Sequence, residues 1–234
     1  MNDTNIPSLR SKFDTTLGWA AFLTIAVSLF LIFMWVPNEK VQGPVSKIIY
    51  FHVSSAWLAF FAFFVVMLSS IIYLKTQDLK WDVLSHASAE IGVLFTTIVL
   101  VTGPIWGRAS WNAWWTWDSR LTTTLVLWFI YVAYLMIRSS FTEEEKKARF
   151  SAVFGIIGFV DVPIVWMSIR WWRTIHPTIV TSGGFSMDPR MVLTLMVSLA
   201  SFTLLYFYLL RKSISIKNLN HETEILKEQI INYK

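Results

Sequence analysis

Long apolar segments alternate with short polar connections along almost the whole chain. Six segments have the length and composition of membrane-crossing helices, because roughly 20 apolar residues in a helix cross a bilayer core about 30 Å thick. They lie at residues 17–36, 48–74, 84–101, 121–137, 150–169 and 191–210. The pattern predicts an all-α integral membrane protein with six transmembrane helices, built as one polytopic domain over residues 1–234 with a polar tail at 211–234.

The distribution of basic residues predicts the orientation. Six crossings place both termini on one side, and the tails and connections of that side carry 13 of the 20 Lys and Arg residues. Because Lys and Arg are enriched in cytoplasmic loops, both termini are expected in the cytoplasm. The segments at 37–47, 102–120 and 170–190 then face outward.

Composition excludes several classes of protein. With 55% hydrophobic residues and a mean hydropathy of +0.53, the chain is too apolar for an ordinary soluble domain, so membrane lipid is its expected environment. The net charge of +5 is explained by membrane topology and indicates no nucleic-acid partner. The chain has no Cys, which excludes disulfides, thiolate metal sites and thiol redox chemistry. Its polar N-terminus lacks a cleavage site, so we expect the first helix to be retained.

The second outward segment, the Trp loop predicted at 102–120, contains five Trp within twelve residues. Trp is common at membrane boundaries, but that preference requires only an occasional Trp at each helix end. Five on one loop form an aromatic surface that suits a large flat ligand. They are Trp106, Trp111, Trp114, Trp115 and Trp117.

Two of the four His are expected on the same side as the Trp loop. His52 lies about one turn into the second helix, and His176 lies in the third outward segment, whereas His86 and His221 fall on the cytoplasmic side and are interpreted as structural. A His near an interface is more often a hydrogen-bonded polar group than a ligand, so spacing alone leaves both interpretations open. Two neutral imidazoles could ligate a haem iron from both sides while indoles cover the porphyrin.

Charged residues of the outward segments fit the same ligand. Haem carries two carboxylates, which guanidinium groups bind through paired, charge-assisted hydrogen bonds. Arg108, Arg120 and Arg173 are candidates, and snorkelling to the membrane interface is the alternative role. Asp118 is expected either to hold Arg120 or the loop backbone, or to cap the following helix.

At these residues the sequence resembles the CcmC family, the short branch of the haem-handling membrane proteins that share a WWD domain and serve cytochrome c biogenesis. The stretches "VTGPIWGRASWNAWWTWDSRLT", "YFHV" and "WWRTIH" carry the resemblance, which extends over nearly the whole chain. It implies that His52 and His176 are axial ligands and that the loop from Trp106 through Asp118 holds haem b, a transferred ligand rather than a permanent cofactor. Relatives often have Pro soon after the first external His, whereas Val53-Ser54-Ser55 follows His52 here.

The resemblance also implies partners and a location. Haem would be presented on the outer face of a bacterial cytoplasmic (inner) membrane to the haem chaperone CcmE, together with the ATP-binding-cassette proteins CcmA and CcmB and the small protein CcmD. The chain has no GxxxxGK[ST] segment, no evident Ser/His/Asp set and no HExxH motif. We therefore expect a binding and transfer protein rather than an enzyme, with any ATP hydrolysis in a separate subunit.

Other functions remain open at this point. Glu90 and Asp161 lie at or within apolar segments, and such acids often mark transport pathways, which favours a six-helix permease for haem or another small substrate. An aromatic cage for a quaternary ammonium would use the Trp residues but not the two His. The longer relatives CcmF and CcsA have more spans, although a short CcsA-like protein that works without the chaperone is a further alternative.

Overall fold

The predicted six crossings are confirmed. The computed structural model describes residues 12–177, 180–181, 184–185 and 187–232, and within them six helical spans are long and apolar enough to cross a membrane. The helices are α1 (Lys12–Phe30, continued by a π-helical turn at Leu31–Trp35), α2 (Ile48–Thr76, preceded by a 3-10 turn at Pro44–Lys47), α3 (Leu79–Trp111), α4 (Ser119–Ser139), α5 (Glu144–Phe159), α6 (Asp161–Trp171) and α7 (Pro189–Asn232). Two two-residue strands, β1 (Val180–Thr181) and β2 (Gly184–Phe185), pair antiparallel before α7.

Local sequence signals set the helix boundaries. Gln77 ends α2 in the left-handed conformation, at φ 57°, and Asp78 then caps α3 by accepting a hydrogen bond from the backbone N–H of Lys80 at 3.0 Å. This short turn makes α2 and α3 antiparallel neighbours. Pro163 has no N–H to donate to the carbonyl of Phe159, so the fifth crossing is interrupted at Val160 and divides into α5 and α6.

The Trp loop is shorter than the sequence predicts. Helix α3 continues through Pro104 to Trp111, so residues 102–111 of the predicted loop are helical and only residues 112–118 form the connection to α4. Asn112 ends α3 in the left-handed conformation, at φ 57°. A Cβ on Gly107 would lie 3.3 Å from the carbonyl oxygen of Ala113, so glycine lets the chain return closely against the end of α3.

Both described ends of the chain lie on one face of the bundle. Arg211, in the second half of α7, contacts Asp14 near the start of α1 at 2.5 Å. We call this face the termini face, and the opposite face, with the 112–118 connection and residues 172–177, the loop face. The tail predicted at 211–234 is a helical continuation of α7 as far as Asn232.

The half of the bundle nearer the termini face is closely packed. The rings of Phe63 and Tyr131 stack with centroids 3.6 Å apart, and both side chains are fully buried. Arg138 pairs with both carboxylate oxygens of Asp82 in the buried interior. Tight apolar packing and paired charges therefore fill this half.

The two intramembrane acids differ in their surroundings. Glu90 lies 2.8 Å from the ammonium of Lys217 and 3.1 Å from Nε2 of His86, so its charge has partners on α7 and within α3. Asp161 begins α6, and its buried Oδ2 has no hydrogen-bond partner among the described residues.

Candidate functional site

A cavity of about 340 Å³ lies in the loop-face half of the bundle. Its walls come from α2, α3, α4, α6 and α7 and from the segment after α6, and they are mostly apolar. Among the predicted site residues, the structure brings five to this cavity: His52, His176, Trp106, Trp111 and Arg120. These side chains come from four separate parts of the chain.

His52 and His176 both line the cavity, and their rings are neighbours. Their centroids are 6.4 Å apart and their planes differ by 31°. Metal–nitrogen bonds of roughly 2 Å, typical of imidazole ligands, would place the centres of two rings on opposite sides of one metal ion about 6 Å apart. The observed separation therefore matches the space that an iron atom would require between them.

A hydrogen bond orients His52. Its Nδ1 lies 2.8 Å from the hydroxyl oxygen of Thr102, and that hydroxyl donates its own proton to the carbonyl of Ile98 at 2.7 Å. Since the Thr102 proton is already used, Nδ1–H of His52 is the donor to Thr102, and Nε2 keeps its lone pair. A metal ion bound through Nε2 requires this tautomer.

His176 is prepared in a similar way. Its Nδ1 lies 3.3 Å from the carbonyl oxygen of Pro177, which can only accept, so Nδ1 carries the proton and Nε2 is left available. Burial, and then the positive charge of Arg120, lower the pKa of His176 to about 4. The imidazole is therefore neutral near pH 7 and able to act as a ligand.

Asp118 connects the Trp loop to the segment that carries His176. Its Oδ1 caps α4 by accepting the backbone N–H of Arg120 at 3.0 Å, and its Oδ2 accepts the N–H of Ile175 at 3.2 Å. Both the capping role and the hold on loop backbone expected from the sequence are present. An ion pair between Asp118 and the Arg120 side chain is absent. The Asp118 carboxylate contacts Arg120 only at the backbone N–H of Arg120.

The five Trp side chains separate into two groups. Trp106 and Trp111 pack edge to face, with centroids 4.8 Å apart, and each ring lies within 6.4 Å of the His176 ring. The side chains of Trp114 and Trp117 are 60% and 70% exposed and do not line the cavity. Trp115 packs edge to face on Trp117, and its buried Nε1–H has no partner among the described residues.

The backbone of the Trp loop is strained at Trp117. Its φ is +52°, in the left-handed region, which is unfavourable for a bulky side chain. Strain of this kind costs on the order of 1–3 kcal/mol and is concentrated at ligand clamps and switch regions. The neighbouring cap at Asp118 and the contact of its Oδ2 with Ile175 hold the loop in this conformation.

The structure distinguishes among the arginines. Arg120 lines the cavity, and its guanidinium forms no hydrogen bond or ion pair with any described residue. Arg108 instead bonds to the carbonyl of Asn112 at 2.7 Å, at the end of α3, and Arg173 is exposed and outside the cavity lining. Arg170, which is not among the arginines predicted from the sequence, also lines the cavity. Its position one turn after Trp166 on the same face of α6 is the signal that could have identified it.

Gln42 of the first outward segment was also missed. Its side-chain oxygen accepts the indole N–H of Trp106 at 3.1 Å, across 64 positions of sequence. This contact fixes Trp106 beside His176. Nothing in the local pattern around Gln42 indicates the contact, because it depends on how the two segments pack.

Comparison with known proteins shows the family of this chain. The family model described as Heme exporter protein C (CcmC) matches residues 1–229. A "Heme exporter protein C" of Bradyrhizobium diazoefficiens is 32% identical over 88% of this chain and 78% of its own length, and the Escherichia coli K12 protein of that name is 35% identical over 80% and 79%. A "Putative cytochrome c biosynthesis ccmC-like mitochondrial protein" of Marchantia polymorpha is 35% identical over 80% and 79%. The chain is therefore a multi-pass membrane protein that belongs to the Heme exporter protein C family.

Proposed function

We propose that this protein binds haem at the outer face of the membrane, with the iron between Nε2 of His52 and Nε2 of His176, and delivers it to the chaperone CcmE for cytochrome c maturation. Family membership supports a role in haem handling for cytochrome c maturation. One observation carries the site assignment: the centroids of two imidazoles lie 6.4 Å apart, and neither Nε2 forms a hydrogen bond with a described residue.

The cavity supplies complementary groups for the rest of the haem. Arg120 and Arg170 bring two guanidiniums to a mostly apolar cavity, and neither forms an ion pair with a described residue. Arg120 is partly buried without a partner among the described residues, which is unfavourable, and Arg170 is exposed at the cavity edge; the two haem carboxylates would pair with these guanidiniums. Trp106 and Trp111 would pack against the porphyrin beside the His176 ligand.

Haem b in this site is cargo that must leave again. Two imidazole nitrogens hold the iron without a covalent bond to the porphyrin, and the chain has no Cys that could form a thioether. The exposed indoles of Trp114 and Trp117 border the same loop and offer a surface to a receiving protein. We infer that a partner with a better set of ligands draws the haem out over this surface.

The surrounding system follows from the family. The termini face would lie in the cytoplasm, as the excess of Lys and Arg on that side predicts, and the membrane would be the bacterial inner membrane. Any ATP hydrolysis would belong to a separate subunit among the ATP-binding-cassette proteins CcmA and CcmB, with CcmD as a further partner. This chain itself would act as a carrier rather than as an enzyme.

The test is the visible absorption spectrum of the detergent-purified protein after addition of haem. The parent should give a low-spin spectrum, and His52→Ala and His176→Ala should each lose or alter it. His221→Ala, on the exposed end of α7, is the matched control and should retain the parent spectrum. If both site variants keep the spectrum and haem content of the parent, the ligand assignment is wrong.

The permease alternative retains one supporting observation, the unpartnered Oδ2 of Asp161. Glu90 supports it less, because its charge is paired with Lys217. Haem transport into vesicles that contain this protein alone, abolished by Asp161→Asn, would favour the permease over presentation at the outer face.

A further inference from the structure

The cavity has a gap in its side wall. Helix α6 packs chiefly against α4 and α5, whereas the facing wall of the cavity belongs to α2 and α7. Three residues of these two walls, Trp57, Trp166 and Met196, line the cavity and are also 48%, 54% and 40% exposed. Side chains that face both the cavity and the surroundings mark an opening, which we call the side opening.

The side opening lies at the depth of one lipid leaflet. Trp57 is nine residues into α2 from the loop face and Met196 is seven residues into α7, which at 1.5 Å per residue corresponds to about 14 Å and about 10 Å. Trp166 is five residues from the end of α6, or about 8 Å. Half of a hydrocarbon core is about 15 Å thick. The opening therefore leads to acyl chains of the leaflet at the loop face.

The cavity does not continue to the termini face through the described part of the bundle. Its deepest wall residues include Leu127, and the stacked rings of Phe63 and Tyr131 lie immediately beyond, fully buried. A ligand of the His pair thus has a lateral path of apolar side chains, but the packed core blocks a path from the opposite face.

We propose that haem reaches the His pair laterally from the outer leaflet, through the side opening between α6 and the α2–α7 wall. This inference rests on the proposed function. Haem in a bilayer has an apolar ring and two carboxylates, which favour the polar boundary. The cavity is likewise charged at its outer end and apolar further in. Arg170 lies one residue before the end of α6, and Trp166 lies one turn deeper. Haem that moves sideways keeps its carboxylates at the boundary throughout.

The two walls of the opening differ in how firmly they are held. The indole N–H of Trp57 donates to the hydroxyl of Thr203 at 3.3 Å. This hydrogen bond connects α2 to α7 and so holds together the wall that these two helices form. The indole N–H of Trp166 has no partner among the described residues, and Met196 has an unbranched, adaptable side chain. Trp166 and Met196 are therefore the side chains that move when haem passes.

The absence of Cys allows a direct test. In the double variant Trp166→Cys/Met196→Cys, a bismaleimide joins the two walls without reaction elsewhere in the chain. The protein is placed in nanodiscs whose lipid already contains haemin, and the rise of the low-spin absorbance is followed. Cross-linking should slow the uptake at least about tenfold, as expected when binding needs a blocked motion. The double variant without the reagent also lacks the Trp166 indole, so it should fill several-fold faster than the parent, and the cross-linked protein is compared with this unlinked variant.

Two further measurements make the result decisive. Trp166→Ala should fill several-fold faster than the parent, whereas Trp19→Ala, which removes an exposed indole on α1 outside the cavity lining, should not change the rate. Protein loaded before cross-linking should keep its spectrum. The inference is overturned if the cross-linked protein fills at the rate of the unlinked double variant or if Trp166→Ala has no effect. A parent without a spectrum that depends on His52 would instead show that the proposed function itself is wrong.

Discussion

Replacing Thr102 by Val tests the preparation of His52 as a ligand. The Thr102 hydroxyl accepts Nδ1–H of His52 at 2.8 Å and donates to the carbonyl of Ile98 at 2.7 Å. Valine has nearly the same shape and the same branching at Cβ, so α3 and its packing should be preserved. The substitution removes only the acceptor that holds the tautomer and orientation of His52.

The size of the effect follows from comparable metal sites. Removing the outer partner of a metal-bound His typically costs 10–100-fold in affinity. At about 1.4 kcal/mol for each factor of ten, Thr102→Val should weaken haem binding by about 1.4–2.8 kcal/mol. Thr102→Ser keeps a hydroxyl at the same place and should restore most of the affinity.

The assay is a haem titration of detergent-purified variants, followed by the low-spin absorbance. Thr123→Val is the matched control, because the Thr123 hydroxyl donates to the Ser119 carbonyl at 2.8 Å within α4 and has no His partner. This control should bind haem like the parent. Parent affinity and an unchanged spectrum in Thr102→Val would refute the argument that Thr102 fixes His52.

Three further predictions follow from the same site. Asp118→Ala should lower the free energy of unfolding by about 1 kcal/mol and weaken haem binding about tenfold. Asp78→Ala, the control, removes a helix cap far from the site. It should lower the free energy of unfolding by a similar amount and leave haem titrations unchanged. The pKa of about 4 for His176 lies below that of an unfolded His, so the unfolded state binds more protons between about pH 4 and 6.5. The folded protein should therefore lose stability as pH falls through that range, and thermal unfolding of His176→Gln should lack this component; equal pH profiles would contradict the assignment. Arg120→Ala should weaken binding of haem about tenfold but not of haem dimethyl ester, while Arg173→Ala should change neither titration.

The six crossings and the approximate site could be predicted from the sequence because their signals are local. Hydropathy over about twenty residues decides whether a helix is stable in lipid, and it needs no knowledge of neighbouring helices. The same applies to the caps at Asp78 and Asp118, where one side chain satisfies backbone groups two residues away. The positions of the Trp and His motifs between the predicted spans also predicted that the candidate ligands share one side of the bundle, and His52 and His176 do line one cavity.

Errors and omissions arose where distant segments decide the outcome. The sequence predicted that residue 102 begins a loop, whereas packing around Gly107 and Trp111 extends α3 by ten residues. Three arginines appeared equivalent as anchors, but α6 ends before Arg173, so Arg170 lines the cavity instead.

The sequence by itself thus determined the membrane class, the number of spans and which residue types were available for a ligand, because each of these depends on nearest neighbours and on solvent. Only the tertiary structure decided which side chains meet. The separation of the two imidazoles, the tautomer set by Thr102, the division of the Trp residues into two groups and the gap beside α6 all depend on contacts between helices distant in sequence. Such contacts are fixed by the packing of whole helices, which no local pattern encodes.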